Sequence, residues 1–232
     1  MIHARTLAIC AVGIMCSTHG LEAQGLSQYR NFELGSNVVS VSALAGVALS
    51  DAKVIRQRPA VLQDLEWRPS RWVAGSIAKS TDPVEEIRFS FYNDQLFRIV
   101  VDYAHERTEG MTGADMIAAI SAVYGTAAPR TSRAPGSAAS PLDRESGMPV
   151  ARWGDIDHAV VLFQSSSYGV PFRLVVTDVR LDGLAREAET QALRLDVLEA
   201  PLREIARQQK ERDDASAAAT KARDANKSVF LP

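Results

Sequence analysis

Cysteine is almost absent from this chain of 232 residues, and both copies lie near its start, at Cys10 and Cys16. From residue 17 onward the chain cannot form a disulfide, a thiolate metal site or a cysteine nucleophile. Histidine is nearly as scarce, and beyond residue 23 only His105 and His158 occur. These two lie in different segments without the spacing of a zinc site, so we expect no metal site and no histidine-based triad.

A strong net charge and long apolar runs are missing as well. Lys and Arg number 26 against 28 Asp and Glu, so no overall field favours nucleic acid or an anionic membrane. After the N-terminus no apolar run reaches the length of about 18 residues that indicates a membrane span. Neither a Walker-type loop nor a G-x-G-x-x-G after a predicted strand is present, so we expect no nucleotide or other cofactor.

The first two dozen residues differ in kind from the rest. Arg5 precedes an apolar run at 7–16, which is too short for a bilayer of ~30 Å but matches the core of a secretory signal. Small residues follow, and we expect cleavage after Ala23, with Gly20 as the alternative. We therefore predict a signal peptide over 1–23 and an exported protein, periplasmic or secreted. The residues before both cysteines are too large for a lipidation motif, so we expect no lipid anchor.

Two later stretches nearly repeat each other. Residues 96–102 read LFRIVVD, and residues 171–178 read PFRLVVTD. Each stretch ends a similar series of elements, which predicts a duplicated module of modest size. If the sheet was built by copying, Phe97 and Phe172 should occupy matching places in one shared apolar interior.

Each copy carries a β-hairpin signal. Residues 84–92 alternate apolar and polar side chains, a tight turn at Asn93 and Asp94 follows, and residues 96–103 are rich in β-branched side chains. In the second copy, residues 159–164 and 172–179 predict the corresponding hairpin.

A helix signal precedes each hairpin. In the second copy, Thr112 is a good N-cap for an amphipathic helix that ends at Tyr124 and Gly125. In the first copy, Ser36 is the corresponding cap and Gly46 the closing glycine, although β-branched residues weaken this helix.

These signals predict an α+β fold of two related helix-plus-antiparallel-hairpin modules, which could share one antiparallel sheet, followed by a helical tail. The modules cover 24–107 and 108–181, and a charged tail covers 182–232. Residues 126–150 are rich in Ala, Pro, Ser and Gly without periodicity, which predicts a disordered insertion. Two prolines interrupt residues 53–73, so we expect an extended or irregular segment there.

The turn and helix of the second copy resemble a known pattern. Residues 110–116, Gly-Met-Thr-Gly-Ala-Asp-Met, lead into a helix that ends at Tyr124-Gly125. This resembles the G-M-[ST]-x-x-x-V…G segment of the BamE/SmpA-like small envelope lipoproteins and of the secreted β-lactamase inhibitor proteins. The resemblance implies short helices paired with an antiparallel sheet, in tandem in the inhibitor proteins, and a bias towards protein binding. The lipoproteins keep a lipobox cysteine that is not found here, so the resemblance implies no activity and no named partner.

Tryptophans flanked by arginines form the candidate protein-binding surface. Trp and Arg are the residue types enriched at binding hot spots. The alternative is that the rings cap the core, with the arginine stems lying over them. The candidate residues are Trp67, Arg68, Arg71, Trp72, Arg152 and Trp153.

Two Ser-x-x-Lys pairs raise the alternative of an envelope serine hydrolase. Ser50 with Lys53, and Ser76 with Lys79, have the spacing that places an amine one helical turn from a serine hydroxyl. The companion motifs Lys-Thr-Gly and Ser-Asp-Asn are absent, so we expect neither serine to be catalytic. A pair joined inside a concave pocket would favour the hydrolase, and exposed turns would count against it.

A small-molecule carrier is a third hypothesis, and it needs an apolar pocket between sheet and helices.

The C-terminal segment has a helix-forming composition and an apolar stripe. Residues 182–227 are rich in Ala, Glu, Arg, Leu and Lys. Pro201 fits poorly inside a helix, which predicts a break or a second helix beginning there. The stripe either packs on the sheet or pairs with a second copy as a short coiled coil. Its candidate residues for self-association are Leu195, Leu198, Leu202 and Ile205.

Taken together, these features predict an exported, non-enzymatic protein-binding or scaffolding module of the cell envelope. Its partner would be an envelope protein and not a nucleic acid. The serine hydrolase and the small-molecule carrier are the alternatives.

Overall fold

Antiparallel strands and a few helices make up the residues that this computed structural model describes, which are 25–69, 82–128, 147–165 and 170–229. The strands are β1 (Gln28–Tyr29), β2 (Phe32–Glu33), β3 (Lys53–Arg56), β4 (Leu62–Trp67), β5 (Val84–Tyr92), β6 (Gln95–Tyr103), β7 (Met148–Gly154), β8 (His158–Gln164) and β9 (Phe172–Asp178). The helices are α1 (Val38–Ala45), α2 (His105–Thr108), α3 (Gly113–Tyr124) and α4 (Val179–Val229), and a 3₁₀ turn covers Leu49–Asp51. The predicted α+β class is confirmed.

Strands β1 and β2 form a small hairpin, and the other seven form one antiparallel sheet in the order β3-β4-β5-β6-β9-β8-β7. Both predicted hairpins are present, as β5–β6 and as β8–β9. The turn of the first hairpin holds Asn93 and Asp94 at φ 46° and 66°, the left-handed region that these two residue types tolerate. Strands β3 and β4 occupy the segment that the prolines predicted to be extended or irregular.

The two predicted modules meet where β6 pairs with β9. Helix α1 precedes β4–β6, and α3 precedes β7–β9, so the last strand of each module lies at the junction. Val100 lies opposite Val175, with Ile99 opposite Val176 and Val101 opposite Leu174. Val175 follows Val100 by 75 residues, and at the same interval Ile99 corresponds to Leu174 and Val101 to Val176. The pairs on either side of the central pair are therefore equivalent, and the ladder is symmetric about Val100 and Val175.

One position breaks this symmetry and corrects a sequence prediction, because Phe97 and Phe172 do not occupy matching places. The β5–β6 ladder skips Phe97, which is the extra residue of a β-bulge. Leu96 therefore takes the inner-core place that Phe172 takes in the other module. Phe97 faces the opposite side of the sheet, where it packs with Leu181 of α4.

Capping explains where the two short helices on the inner core begin. The Thr112 hydroxyl accepts a hydrogen bond from the Asp115 amide, and the Asp115 carboxylate accepts one from the Thr112 amide at 2.8 Å, so α3 starts as predicted with a capping box. Helix α1 starts at Asn37 instead of Ser36, and the Asn37 side chain accepts from the Ser40 amide. Ser36 is not the cap because its carbonyl accepts a hydrogen bond from the Leu96 amide.

Both ends of the predicted insertion at 126–150 are ordered, which corrects its boundaries. Residues 148–150 begin β7, and the Ala128 amide donates to the Arg152 carbonyl at 2.7 Å. Order at these positions comes from pairing with distant parts of the chain, which local composition does not show. Residues 129–146 lie outside the described residues.

Three tyrosines close the end of the inner core beneath the β1–β2 hairpin. Tyr29 and Tyr103 share a side-chain hydrogen bond, and the Tyr124 hydroxyl donates to the Gln28 carbonyl at 2.9 Å. Burial raises the pKa of all three phenols above the ordinary value, because a buried phenolate loses its hydration. The hairpin is therefore held by groups that must stay protonated.

We expect the free energy of unfolding to fall as the pH rises above about 10, the ordinary pKa of tyrosine. The pKa values are raised in the folded state, so this contribution is complete below the unfolded pKa and is lost as the pH rises through the folded values. Tyr103→Phe should flatten the alkaline fall, measured by urea unfolding at several pH values. An unchanged alkaline slope in this variant would contradict the assignment.

Candidate binding surface

The structure separates the predicted Trp/Arg surface into two places. Trp153 is only 1% exposed, and its indole N–H donates to the Gly125 carbonyl at 2.9 Å and to the Ser121 hydroxyl at 3.2 Å. It is therefore a core residue against α3, which corrects the prediction that it contacts a partner. Four strands lie between β7, which carries Trp153, and β4, which carries Trp67.

The other described members of that surface, Trp67, Arg68 and Arg152, do not come together in one site. Trp67 packs at the margin of the inner core, and Arg68 is exposed with Nε 2.9 Å from Glu86 Oε2. Arg152 is half-buried on β7 opposite Val161. Arg71 and Trp72 lie outside the described residues.

The first Ser-x-x-Lys pair does not have a catalytic arrangement. Ser50 is exposed in the 3₁₀ turn, and Lys53 begins β3 with its Nζ 3.3 Å from Glu66 Oε1. In the described part of the chain no hydrogen bond joins Ser50 to Lys53. An exposed turn is the arrangement that counts against the hydrolase. Ser76 and Lys79 lie outside the described residues.

The remaining hypotheses about small ligands find little support in the described residues. The space between the inner sheet face, α1 and α3 holds a continuous cluster of buried side chains, where a carrier would need a cavity. Within the described ranges, no three His, Asp or Glu side chains group as metal ligands. None of the helices described here combines the length and the apolar character needed to cross a membrane.

Helix α4 leaves a series of apolar side chains exposed towards its C-terminal part, and it begins firmly attached to the outer face of the sheet. Leu181 packs against the bulged Phe97. The small side chains of Ala185, Ala188 and Ala192 are buried on the same helix face. Small residues at this spacing let the helix approach the sheet closely.

A buried ion pair fixes the position of α4 on the sheet. Arg98 follows the bulge, and its guanidinium lies 2.6 Å from the Asp182 carboxylate, with both side chains buried. Arg186, one helical turn later, binds the other oxygen of Asp182. Because a buried carboxylate without a partner is costly, Asp182 holds α4 at one position over β6.

Two further ion pairs hold the helix where it reaches the sheet edge. Arg56 of β3 lies 2.9 Å from Asp196, and Arg58 binds Glu199. Arg203 binds both of these carboxylates from the next turn of the helix. Its guanidinium lowers the pKa of Asp196 below the ordinary value, and Arg58 does the same for Glu199.

Beyond Glu199 the helix leaves the domain. Residues 200–229 are exposed throughout and would extend about 45 Å at 1.5 Å per residue. The predicted break at Pro201 is wrong, because one helix runs from Val179 to Val229. Pro201 has no backbone N–H to donate to the carbonyl of Val197, four residues earlier. Val197 is 74% exposed, so water can donate to that carbonyl instead.

The apolar stripe lies largely free of the sheet. Leu198, Leu202 and Ile205 are 72%, 67% and 63% exposed, while Leu195 is half-buried. Of the two alternatives raised by the sequence, packing on the sheet is excluded for these three side chains. We call Leu195, Leu198, Leu202 and Ile205 the leucine stripe.

Comparison with protein-family models, curated proteins and solved structures finds no match for this chain. The functional argument therefore rests on the geometry of α4.

Breaking one partner of the buried ion pair should be costly. We expect Arg98→Met to lower the free energy of unfolding by about 3–5 kcal/mol, because Asp182 stays buried with less compensation. The double variant Arg98→Met/Asp182→Leu should recover most of this loss, since no charge is then left unpaired. Urea unfolding followed by circular dichroism measures both.

Arg203→Met is the control for the Arg98 and Asp182 variants. Arg203 is half-exposed and binds carboxylates on the helix surface, so its loss should change the free energy of unfolding by about 1 kcal/mol or less. A similar cost for Arg98→Met would show that the buried pair does not hold α4.

Proposed function

We propose that this protein is an exported, non-enzymatic binding or scaffolding module of the cell envelope that presents α4 as an arm to another protein. The exposure of Leu198, Leu202 and Ile205 on a helix already held by its domain carries the proposal. Apolar side chains grouped on one face of a water-exposed helix are typical of a surface that a partner covers.

The energetics favour such a role even for a short stripe. Burying a leucine or isoleucine side chain contributes about 1.5–3 kcal/mol relative to leaving it in water. The anchors at Asp182, Asp196 and Glu199 already order the helix in the free protein. Binding therefore does not have to offset the unfavourable free energy of helix nucleation. That cost usually lowers the affinity of short helical segments that are disordered before they bind.

Two sequence features support the envelope part of the proposal. The predicted signal peptide at 1–23 directs the chain to export. The resemblance to BamE/SmpA-like and inhibitor proteins fits a domain in which a capped helix after Gly110-Met111-Thr112 precedes an antiparallel meander. An envelope protein is the partner that both features favour.

A photo-crosslinking amino acid at position 202 should capture a protein in living cells, because Leu202 lies on the leucine stripe. The same group at position 193 is the matched control, since Leu193 is exposed on another flank of the same helix. Mass spectrometry of the products identifies the captured chain. Equal products from both positions, or none from position 202, would overturn the proposal.

Export has its own test. The chain recovered from the envelope fraction should begin at Gln24, or at Leu21 for the alternative cleavage, as read by N-terminal sequencing. Replacing Ile9 with Asp interrupts the apolar run and should leave the full-length chain in the cytoplasm. Recovery of an uncleaved chain in the cytoplasm without this substitution would contradict export.

A further inference from the structure

We infer that the occupant of the leucine stripe is a second copy of this chain, paired in parallel and in register as a short two-stranded coiled coil. The inference deepens the proposed function, on which it rests, because it names the partner of the same helix surface.

The spacing of the stripe is that of a coiled-coil seam. Steps of four and three residues alternate without interruption along α4, which is the heptad spacing of core positions a and d. Leu195 and Leu202 then take position a, and Leu198 and Ile205 take position d. The four apolar layers are bounded by a glutamine at each end, so the seam has a defined length. In order the seam reads Gln191, Leu195, Leu198, Leu202, Ile205 and Gln209.

From Leu198 onward the seam is rotated away from the face that holds α4 to the sheet, whereas Leu195 follows the buried Ala188 by one heptad and is half-buried. At 100° per residue, Leu202 is rotated by about 80° from the buried Ala192. Asp196 and Glu199, which bind Arg56 and Arg58, stay on the side of the sheet. A second helix can therefore cover the exposed side chains of Leu198, Leu202 and Ile205 without displacing the contacts that anchor the first.

Charge complementarity selects the parallel arrangement. Arg194 takes position g and Glu199 takes position e of the next heptad, and a parallel pair brings g of one chain next to e of the other. Arg194 is exposed, and no salt bridge joins it to the described residues of its own chain. The Glu199 carboxylate is held in place by Arg58 and Arg203.

The antiparallel arrangement of the same layers is less favourable. It would stack Leu198 on Leu202 of the second chain, with the symmetry axis close to Ala200. Glu199 would then lie beside its own counterpart, and like charges at that position disfavour the pair. Arg194 would face a glutamine, Gln208, and gain no ion pair.

The size of the seam predicts a reversible dimer. Four apolar layers bury less than the total of about 1,200 Å² that stable interfaces usually reach. The preformed helix removes part of the entropic cost of association. We therefore expect a dimer that dissociates on dilution and not a permanent one.

Analytical ultracentrifugation of the full chain tests the pairing. The average mass should rise from one chain towards two between about 1 µM and about 300 µM. Leu198→Glu/Leu202→Glu should stay monomeric over this range, because both side chains are exposed in the single chain and their loss spares its core. Circular dichroism confirms that the variant is folded.

The matched control is Leu193→Glu/Val197→Glu, which places the same charges at equally exposed positions off the seam. It should associate like the parent chain. Arg194→Glu should weaken the association about fivefold at low salt and less at high salt, since it removes the ion pair between chains. Association that is unaffected by the stripe variant, or weakened equally by the control, would overturn the assignment.

Disulfide trapping tests the orientation in a chain whose Cys10 and Cys16 are changed to Ser. In the parallel pair, Leu198→Cys alone should form a linked dimer on oxidation, because the two copies of position 198 share a layer. In the antiparallel pair, only a mixture of Leu198→Cys and Leu202→Cys would link, and that result would overturn the parallel arrangement.

The two proposals fail in different ways. A chain that stays monomeric at every concentration would overturn the second copy as occupant. If position 202 still captured a different protein in cells, the proposed binding function would stand without it.

Discussion

A single extra residue in β6 determines where the long helix lies. The bulge at Phe97 turns that ring and the following Arg98 away from the inner core and towards the outer face of the sheet. Leu181 and Asp182, at the start of α4, meet these two side chains. Without the bulge, alternation along β6 would place Phe97 and Arg98 on opposite faces, and the helix would lose either its apolar contact or its ion pair.

The bulge also explains how a nearly symmetric sheet carries a long helix on one side only. The β6–β9 ladder is symmetric about Val100 and Val175, and side chains from both predicted modules line the inner core with those of α1 and α3. The outer face is not symmetric, because β9 has no equivalent of the bulged Phe97. The helix that follows β9 crosses the outer face of the sheet and reaches the β3 edge at Arg56 and Arg58, beyond which it continues to Val229.

Two faces of α4 differ in their contacts, because one packs on the sheet and the other is the face that we propose a partner covers. The attaching face carries alanines and one buried carboxylate, so it fits closely and has little freedom to shift. The second face carries larger side chains that the domain leaves uncovered. Since the same helix bears both faces, the domain orders the exposed face in the single chain, which would reduce the entropic cost of the proposed binding.

Local signals in the sequence were sufficient for several elements. Alternation predicted β5, and β-branched content predicted β6. The Thr112 cap predicted the start of α3, and three- and four-residue spacing located the leucine stripe. Each of these depends on neighbours within one or two turns of chain, so the residues themselves carry the information.

The sequence by itself thus determined the fold class, both hairpins and the candidate stripe. Only the tertiary structure decided that Trp153 is buried, that Phe97 is bulged, that 148–149 pair with β8 and that Pro201 is tolerated. These outcomes depend on strands and helices far apart in the chain, and on whether water or protein surrounds a given backbone group. Local composition cannot report such neighbours, because a bulge, a buried indole and a solvated carbonyl are properties of the assembled layers.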